Sequence, residues 1–168
     1  MMPTTKPTPE SSEGPSPEFL HGRALAMQAR REHSRQEIRQ KLLELGGEPQ
    51  QVEQLLDELV RRRLQSDARF AEIYVRSRAE RGYGPRVIEA ELRGRGLSTE
   101  LVQEAMADSG YDWTEQAKVQ RQKRFGRSQP AEMKEKARQV RFLQYRGFSS
   151  SQVSQALKGG WNGGTEED

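Results

Sequence analysis

Apolar residues recur along this chain in a frame that appears three times. Each frame begins with a leucine, has a glycine four positions later, and has further apolar residues ten and fourteen positions from its origin. The three frames are Leu42, Gly46, Val52 and Leu56; Leu92, Gly96, Val102 and Met106; and Leu143, Gly147, Val153 and Leu157. Their origins lie 50 and 51 residues apart, which is the even spacing of tandem structural repeats.

The frame predicts a helix, a tight turn and a second helix. Its glycine can take the left-handed conformation that closes a helix. Ser98 and Ser149 follow two of these glycines as N-caps, and Pro49 follows the third as a first-turn residue. Apolar residues then recur at helical spacing, most clearly at Val52, Leu55, Leu56, Leu59 and Val60.

Helical periodicity upstream of each frame predicts one further helix, so the chain is predicted to be all-α. No alternating pattern is long enough to indicate a strand. We predict three tandem three-helix repeats of the helix-turn-helix type, over residues 21–66, 67–111 and 112–158. Residues 1–20 are rich in proline, serine and threonine and are expected to form a disordered tail. Residues 159–168 are expected to form a flexible acidic tail.

The same spacing predicts which side of several helices is buried. The first helix is expected to run from about Gly22 to Glu32, and the helix of residues 112–125 has only a sparse apolar stripe. The first helix of the second repeat is expected to bury Phe70, Ile73 and Tyr74 and to direct Arg76, Arg78 and Arg81 outward. The helix that starts near Pro130 is expected to bury Met133, Ala137, Val140 and Leu143.

Six residues are predicted to form structural turns between helices: Gly46, Gly82, Gly84, Pro85, Gly96 and Gly147. The cluster Gly82-Tyr83-Gly84-Pro85 has the glycine content of a phosphate-binding loop, but no strand precedes it and no Gly-Lys-Ser follows it. A turn between two helices is therefore the favoured interpretation of this cluster.

Composition narrows the class of protein. Hydrophobic and charged residues each make up 32% of the chain, which suits small modules with thin cores better than one thick core. The chain has no cysteine, and His21 and His33 have no partner at a metal-ligand spacing. Acids such as Glu89 and Glu91 alternate with bases as they do on exposed helices. We therefore expect no enzyme activity, catalytic residue, metal or cofactor. The lack of a long apolar run or signal segment favours a cytoplasmic protein without a membrane partner.

Positive charge is concentrated in the third repeat. The net charge is +3, but residues 112–161 hold eleven basic and four acidic residues. Of the 28 basic residues, 21 are arginines, which suit phosphate and carboxylate partners. The alternative is that these arginines lie on a solvent-exposed helix surface and bind no partner. The candidate binding residues are Arg30, Arg31, Arg35, Arg39, Arg76, Arg78, Arg81, Lys118, Arg121, Lys123, Arg124 and Arg127. The run from 118 to 127 is the strongest candidate because few acids lie near it.

Three pieces of the sequence resemble one known family. They are His33-Ser34-Arg35, then Asp67-Ala68-Arg69-Phe70-Ala71, and then Gly82-Tyr83-Gly84-Pro85 followed by Ile88 and Leu92. Together with the segment from Phe142 to Val153, they resemble RecX, the bacterial regulator of the RecA recombinase, over about residues 22–158. The resemblance implies three tandem three-helix repeats in an elongated, curved array, with no catalytic residues to carry over.

The resemblance further implies a protein that lies in the groove of the RecA filament on single-stranded DNA, and separately we expect a monomer. Such a protein would lower ATP hydrolysis, strand exchange and co-protease activity. From the charge of the third repeat, we also expect a weak direct contact with DNA. Reversing the charge of Arg121, Arg124 and Arg127 is then expected to weaken inhibition without unfolding the protein. A sequence-independent DNA-binding module is the main alternative, and a helical adaptor for another partner is the third.

Overall fold

The computed structural model describes residues 14–158, and within this range the chain forms nine α-helices and no strand. The helices are α1 (Pro17–Arg30), α2 (Arg35–Glu44), α3 (Pro49–Arg61), α4 (Asp67–Glu80), α5 (Pro85–Gly94), α6 (Thr99–Asp108), α7 (Trp113–Phe125), α8 (Met133–Arg146) and α9 (Ser150–Lys158). The all-α prediction is confirmed for this range. Of the two predicted tails, residues 1–13 and 159–168 lie outside the described residues.

Successive groups of three helices each enclose a separate apolar core. The first group is centred on residues such as Ile38, Leu42 and Leu56. The cores of the second and third groups contain Ile88, Leu92 and Val102, and Leu143, Phe148 and Val153. The described chain divides into two compact units between Ser66 and Asp67, so α1–α3 form the first unit and α4–α9 the second.

The predicted helix-turn-helix chemistry is confirmed. Gly46, Gly96 and Gly147 all have positive φ, at 94°, 86° and 99°, just after a helix end. Ser98 accepts a hydrogen bond from the backbone N–H of Leu101, and Ser149 accepts one from that of Gln152. These bonds satisfy backbone donors that the first turn of a helix leaves unpaired.

The predicted boundary of the amino-terminal tail is wrong at residues 17–20. Helix α1 begins at Pro17, five residues before the predicted Gly22. Ser16 Oγ accepts a hydrogen bond of 3.1 Å from the Phe19 backbone N–H, and Leu20 is buried in the first core. The proline and serine that suggested disorder are here a first-turn proline and an N-cap, two common helix-start residues.

Two predicted inner faces also need correction. Ile73 and Met133 were expected to be buried, but their exposed fractions are 44% and 80%. In α4, Phe70, Ala71, Val75 and Ala79 supply the buried residues. In α8, the buried residues are Gln139 and Leu143, and Ala137 is exposed as well. The polar Gln139 therefore lies on the inner side that apolar spacing alone assigned to Met133 and Ala137.

The second and third repeats join through a direct backbone contact. The N–H of Gly84 donates a hydrogen bond of 2.6 Å to the Arg146 carbonyl, and the N–H of Arg86 donates one of 2.9 Å to the Gly147 carbonyl. A Cβ atom on Gly84 would lie 2.6 Å from the Gly147 carbonyl carbon. The cluster Gly82-Tyr83-Gly84-Pro85 is thus a turn, as predicted, and its second glycine also permits close packing between repeats.

We predict that Gly84→Ala destabilises the second unit. The added methyl group would overlap backbone that is held by two hydrogen bonds, so we expect a loss of about 1–3 kcal/mol in the free energy of unfolding. Gly94→Ala is the matched control, because a Cβ there meets no atom within 4 Å. Urea unfolding followed by circular dichroism gives the comparison. Equal stability of the two variants would contradict this account of the contact.

Candidate polyanion-binding surface

Most candidate arginines of the first repeat bind acids within the same repeat. Arg31 forms an ion pair of 2.7 Å with Glu37. Arg35 contacts both Glu53 at 2.9 Å and Asp57 at 2.7 Å, and Arg39 contacts Glu53 at 2.5 Å. These pairs connect α2 to its own N-terminal segment and to α3. Of the four candidates here, only Arg30 is exposed without an ion pair among residues 14–158.

The segment before α2 is held by buried hydrogen bonds around His33. The His33 N–H donates to Gln28 Oε1 at 2.8 Å, and Gln65 Nε2 donates to the His33 carbonyl at 3.3 Å. Ser34 and Glu37 form a reciprocal capping box at the start of α2. Burial and the neighbouring Arg31 charge lower the pKa of His33, which keeps the ring neutral near pH 7. The His-Ser-Arg motif therefore has a structural role.

Arg78 does not point outward as predicted. Its guanidinium is half-buried, lies 2.6 Å from Glu91 and stacks over Tyr83 at 3.9 Å from the ring centre. The Tyr74 hydroxyl donates a hydrogen bond to the same carboxylate. Burial and this bond raise the pKa of Tyr74 to about 12. Burial alone would raise the pKa of Glu91, but the hydrogen bonds from Arg78 and Tyr74 outweigh burial and lower this pKa.

The other two candidates of this repeat, Arg76 and Arg81, are exposed, and Arg76 lies 3.4 Å from Glu72.

Arg121 was expected to face an external anion, but it is buried in the third repeat with 1% of its surface exposed. Its Nε donates to the Ala156 carbonyl at 3.2 Å, in the last turn of α9. Its Nη1 donates to Gln139 Oε1 at 3.2 Å and to the Ser128 carbonyl at 3.3 Å. Burial lowers the pKa of this guanidinium. Arg121 is therefore a core residue that connects α7, α8 and α9.

Three residues of the predicted third-repeat run do present exposed charge. Lys123, Arg124 and Arg127 are exposed, and none forms an ion pair within residues 14–158. Lys118 is partly engaged, because its Nζ lies 3.0 Å from Glu115. The predicted run of five bases thus reduces to three that are open to a partner.

The structure adds three bases on α8 that the sequence analysis did not select. Lys134, Arg138 and Arg141 are exposed and lie at positions i, i+4 and i+7, on one side of the helix. Arg138 has a loose contact of 3.6 Å with Glu135. The spacing could have been found in the sequence, but the assignment of Met133 and Ala137 to the inner side concealed it.

Aromatic rings connect the two groups of bases. The guanidinium carbons of Arg124 and Arg138 lie 5.8 and 5.5 Å from the centre of the Phe125 ring, within range of a cation–π contact. Phe125 in turn packs edge-on against Phe142, with ring centres 5.3 Å apart. We define the third-repeat basic surface by its six exposed bases: Lys123, Arg124, Arg127, Lys134, Arg138 and Arg141. Chemically, this surface can bind polyanions by charge and by bidentate hydrogen bonds.

Other kinds of site receive no support from the described part of the chain. No group of three or more His, Asp or Glu side chains within it could hold a metal ion. No helix in the same range is both long and apolar enough to cross a membrane. Over residues 14–158, the chain is therefore an all-helical protein with three tandem three-helix domains and a basic surface on its third domain.

Comparison with known proteins identifies the family. Models of the first, second and third three-helix domains of RecX match residues 22–59, 66–106 and 111–157. The chain is 44% identical to "Regulatory protein RecX" of Halorhodospira halophila, over 87% of this chain and 91% of that protein. A protein of the same name from Pseudomonas fluorescens is 41% identical over 81% of this chain and 88% of its own length. The chain belongs to the RecX family.

A solved structure agrees at the level of the fold. The crystal structure of RecX from Lactobacillus salivarius superposes with a TM-score of 0.73 at 20% sequence identity. The match covers 84% of this chain and 94% of that one. The three-repeat helical architecture is therefore shared with a RecX protein of low sequence identity.

We predict that Arg121→Glu strongly destabilises the protein. The substitution would place a carboxylate among three acceptor oxygens and remove every hydrogen bond that the guanidinium donates. The expected loss is about 3–5 kcal/mol in the free energy of unfolding. Lys123→Glu, two residues away at an exposed position, should change stability by no more than about 0.5 kcal/mol. Urea unfolding measures both, and a stable Arg121→Glu variant would show that the side chain is not buried in solution.

We also predict that Glu53 makes a small, pH-dependent contribution to the free energy of unfolding. Hydrogen bonds from Arg39 and Arg35 lower the pKa of Glu53 to about 2 from an ordinary 4.5. Because the folded pKa is below the unfolded one, this stabilisation is complete above about pH 4.5 and disappears as the pH falls through about 2. The carboxylate side chain is 45% exposed, so solvent screening limits the effect to about 1 kcal/mol.

The measurement compares wild type with Glu53→Gln by urea unfolding at about pH 6 and at about pH 2.5. Wild type should be the more stable protein near pH 6, and the difference should shrink at the lower pH. A difference that stays the same at both pH values would contradict the assignment.

Proposed function

We propose that this protein regulates a RecA recombinase, by binding the RecA filament on single-stranded DNA and hindering its growth or promoting its disassembly. The observation that carries the proposal is the match of all three repeats to RecX domains. Relatives of 41–44% identity are named as regulatory proteins. The link to RecA comes from the family resemblance in the sequence.

The third-repeat basic surface is the part of the protein that we propose for docking. A RecA filament on DNA presents phosphates and acidic side chains, and six exposed bases complement both. Because Arg31, Arg35 and Arg39 already bind acids of the first repeat, they offer less free charge to a partner. Many modest ionic contacts would give binding that weakens as salt rises.

The proposed action needs no catalytic step by this chain. A protein that occupies the filament groove can lower ATP hydrolysis, strand exchange and co-protease activity by restricting the RecA protomers that it contacts. We propose that it acts in the cytoplasm as a monomer, without a cofactor.

We predict that the wild-type protein inhibits ATP hydrolysis by the RecA of the same bacterium on single-stranded DNA. The triple variant Lys123→Glu, Arg124→Glu and Arg127→Glu should require at least about tenfold more protein for half-inhibition, because reversed charges repel the anionic filament. Its helix content and urea midpoint should match the wild type, since all three positions are exposed.

The matched control reverses three exposed arginines elsewhere: Arg23, Arg61 and Arg93. This control has the same net charge as the first variant, so it separates a local surface from total charge. Equal loss of inhibition in both variants would remove the third-repeat basic surface from the proposal. Unchanged ATP hydrolysis with wild-type protein would overturn the proposal itself.

A further inference from the structure

We propose that the outward side of α8 binds single-stranded nucleic acid directly, with Tyr145 stacking on a base and Lys134, Arg138 and Arg141 contacting phosphates. Lys134, Arg138, Arg141 and Tyr145 lie at positions i, i+4, i+7 and i+11 and therefore form one stripe along the helix. The opposite side of α8 is anchored in the third core by Gln139 and Leu143. The stripe contains no acidic residue.

Tyr145 is the feature that distinguishes this stripe from an ordinary charged helix. Its exposed fraction is 86%, the highest among the exposed large hydrophobic residues of the described range. A tyrosine that packs against its own protein hides at least one ring face, and this one leaves nearly all of its surface open. Stacking on a base would cover that surface, and stacking accepts any base because every base has a flat π-face.

The neighbouring arginines are already partly ordered. Arg138 lies over Phe125, and Phe125 is fixed edge-on against Phe142 of α8. Arg146, one residue beyond Tyr145, lies over Phe142 at 5.2 Å and donates a hydrogen bond to the Arg81 carbonyl. Side chains that are ordered before binding lose less conformational entropy when a phosphate arrives. The stripe thus combines an ordered cation, Arg138, with an open aromatic ring.

Single-stranded nucleic acid fits this combination better than the other polyanions. A duplex offers phosphates but keeps its base faces stacked inside, so Tyr145 would add little to duplex binding. An acidic peptide can pair with the three cations but has no regular flat partner for the ring. The contact needs only a bare strand, so its test is separate from the proposed action on RecA.

The test is binding of the full chain to a fluorescently labelled oligothymidylate, measured by anisotropy over a series of salt concentrations. Tyr145→Ala should weaken binding by about 5- to 150-fold, while Tyr145→Phe should stay within about twofold because the ring is kept. Arg141→Gln should reduce the slope of log affinity against log salt by about 0.7, as loss of one phosphate contact requires. Met133→Ala is the control, since Met133 is exposed on the same helix but outside the stripe.

Three results would overturn the inference: unchanged affinity of Tyr145→Ala, equal affinity for a duplex of the same length, or equally effective competition by polyglutamate. Each would mean that the surface responds to charge alone. Urea unfolding of Tyr145→Ala should match the wild type, which separates a binding defect from a folding defect. Loss of strand binding in this variant with normal inhibition of RecA would leave the proposed function intact.

Discussion

Long polar side chains connect the helices of each repeat alongside its apolar core. Arg121 is the clearest case, because it is the largest fully buried side chain of the described residues. It satisfies a carbonyl at the end of α9 and the side chain of Gln139, and so connects all three helices of its repeat. Arg78 with Glu91, and Arg35 with Glu53 and Asp57, connect helices of the other repeats through more exposed ion pairs.

This use of arginine divides the basic residues into two populations. Those that point into a repeat are matched by carbonyls or carboxylates and hold helices together, so their removal affects folding. Those that point outward on α7 and α8 keep an open positive field that a polyanion can enter. The number of basic residues in a repeat therefore overstates the positive charge that a partner can contact. The six bases of the third-repeat basic surface belong to this exposed population.

The local fold could be predicted from the sequence because its determinants are local. The positive φ of Gly147, the N-cap Ser149 and the first-turn Pro85 each act within one helix turn. The direction of a long side chain is not a local property, and this is why the outward assignments of Arg78 and Arg121 were wrong. Their positions depend on acceptors 13 and 35 residues away in sequence.

The motifs that carry the family resemblance proved to be structural. His33 and Ser34 order the start of α2, and Gly84 with Arg86 forms the backbone contact with the third repeat. Such motifs identify the fold well, because few residues can replace a buried hydrogen-bond hub or a glycine at a close backbone contact. They do not mark the surface that meets a partner. The exposed bases of α8 were not predicted because apolar spacing alone placed Met133 and Ala137 on the inner side of this helix, where the structure has Gln139 and Leu143.

The most direct test of this account is lysine acetylation footprinting by mass spectrometry, on the protein free and bound to RecA on single-stranded DNA. The account predicts that Lys123 and Lys134 lose reactivity on binding, because both lie on the third-repeat basic surface. Lys41, on α2 of the first unit, should react equally in both states. Protection of Lys41 with unchanged reactivity of Lys123 and Lys134 would contradict the assignment of the docking surface.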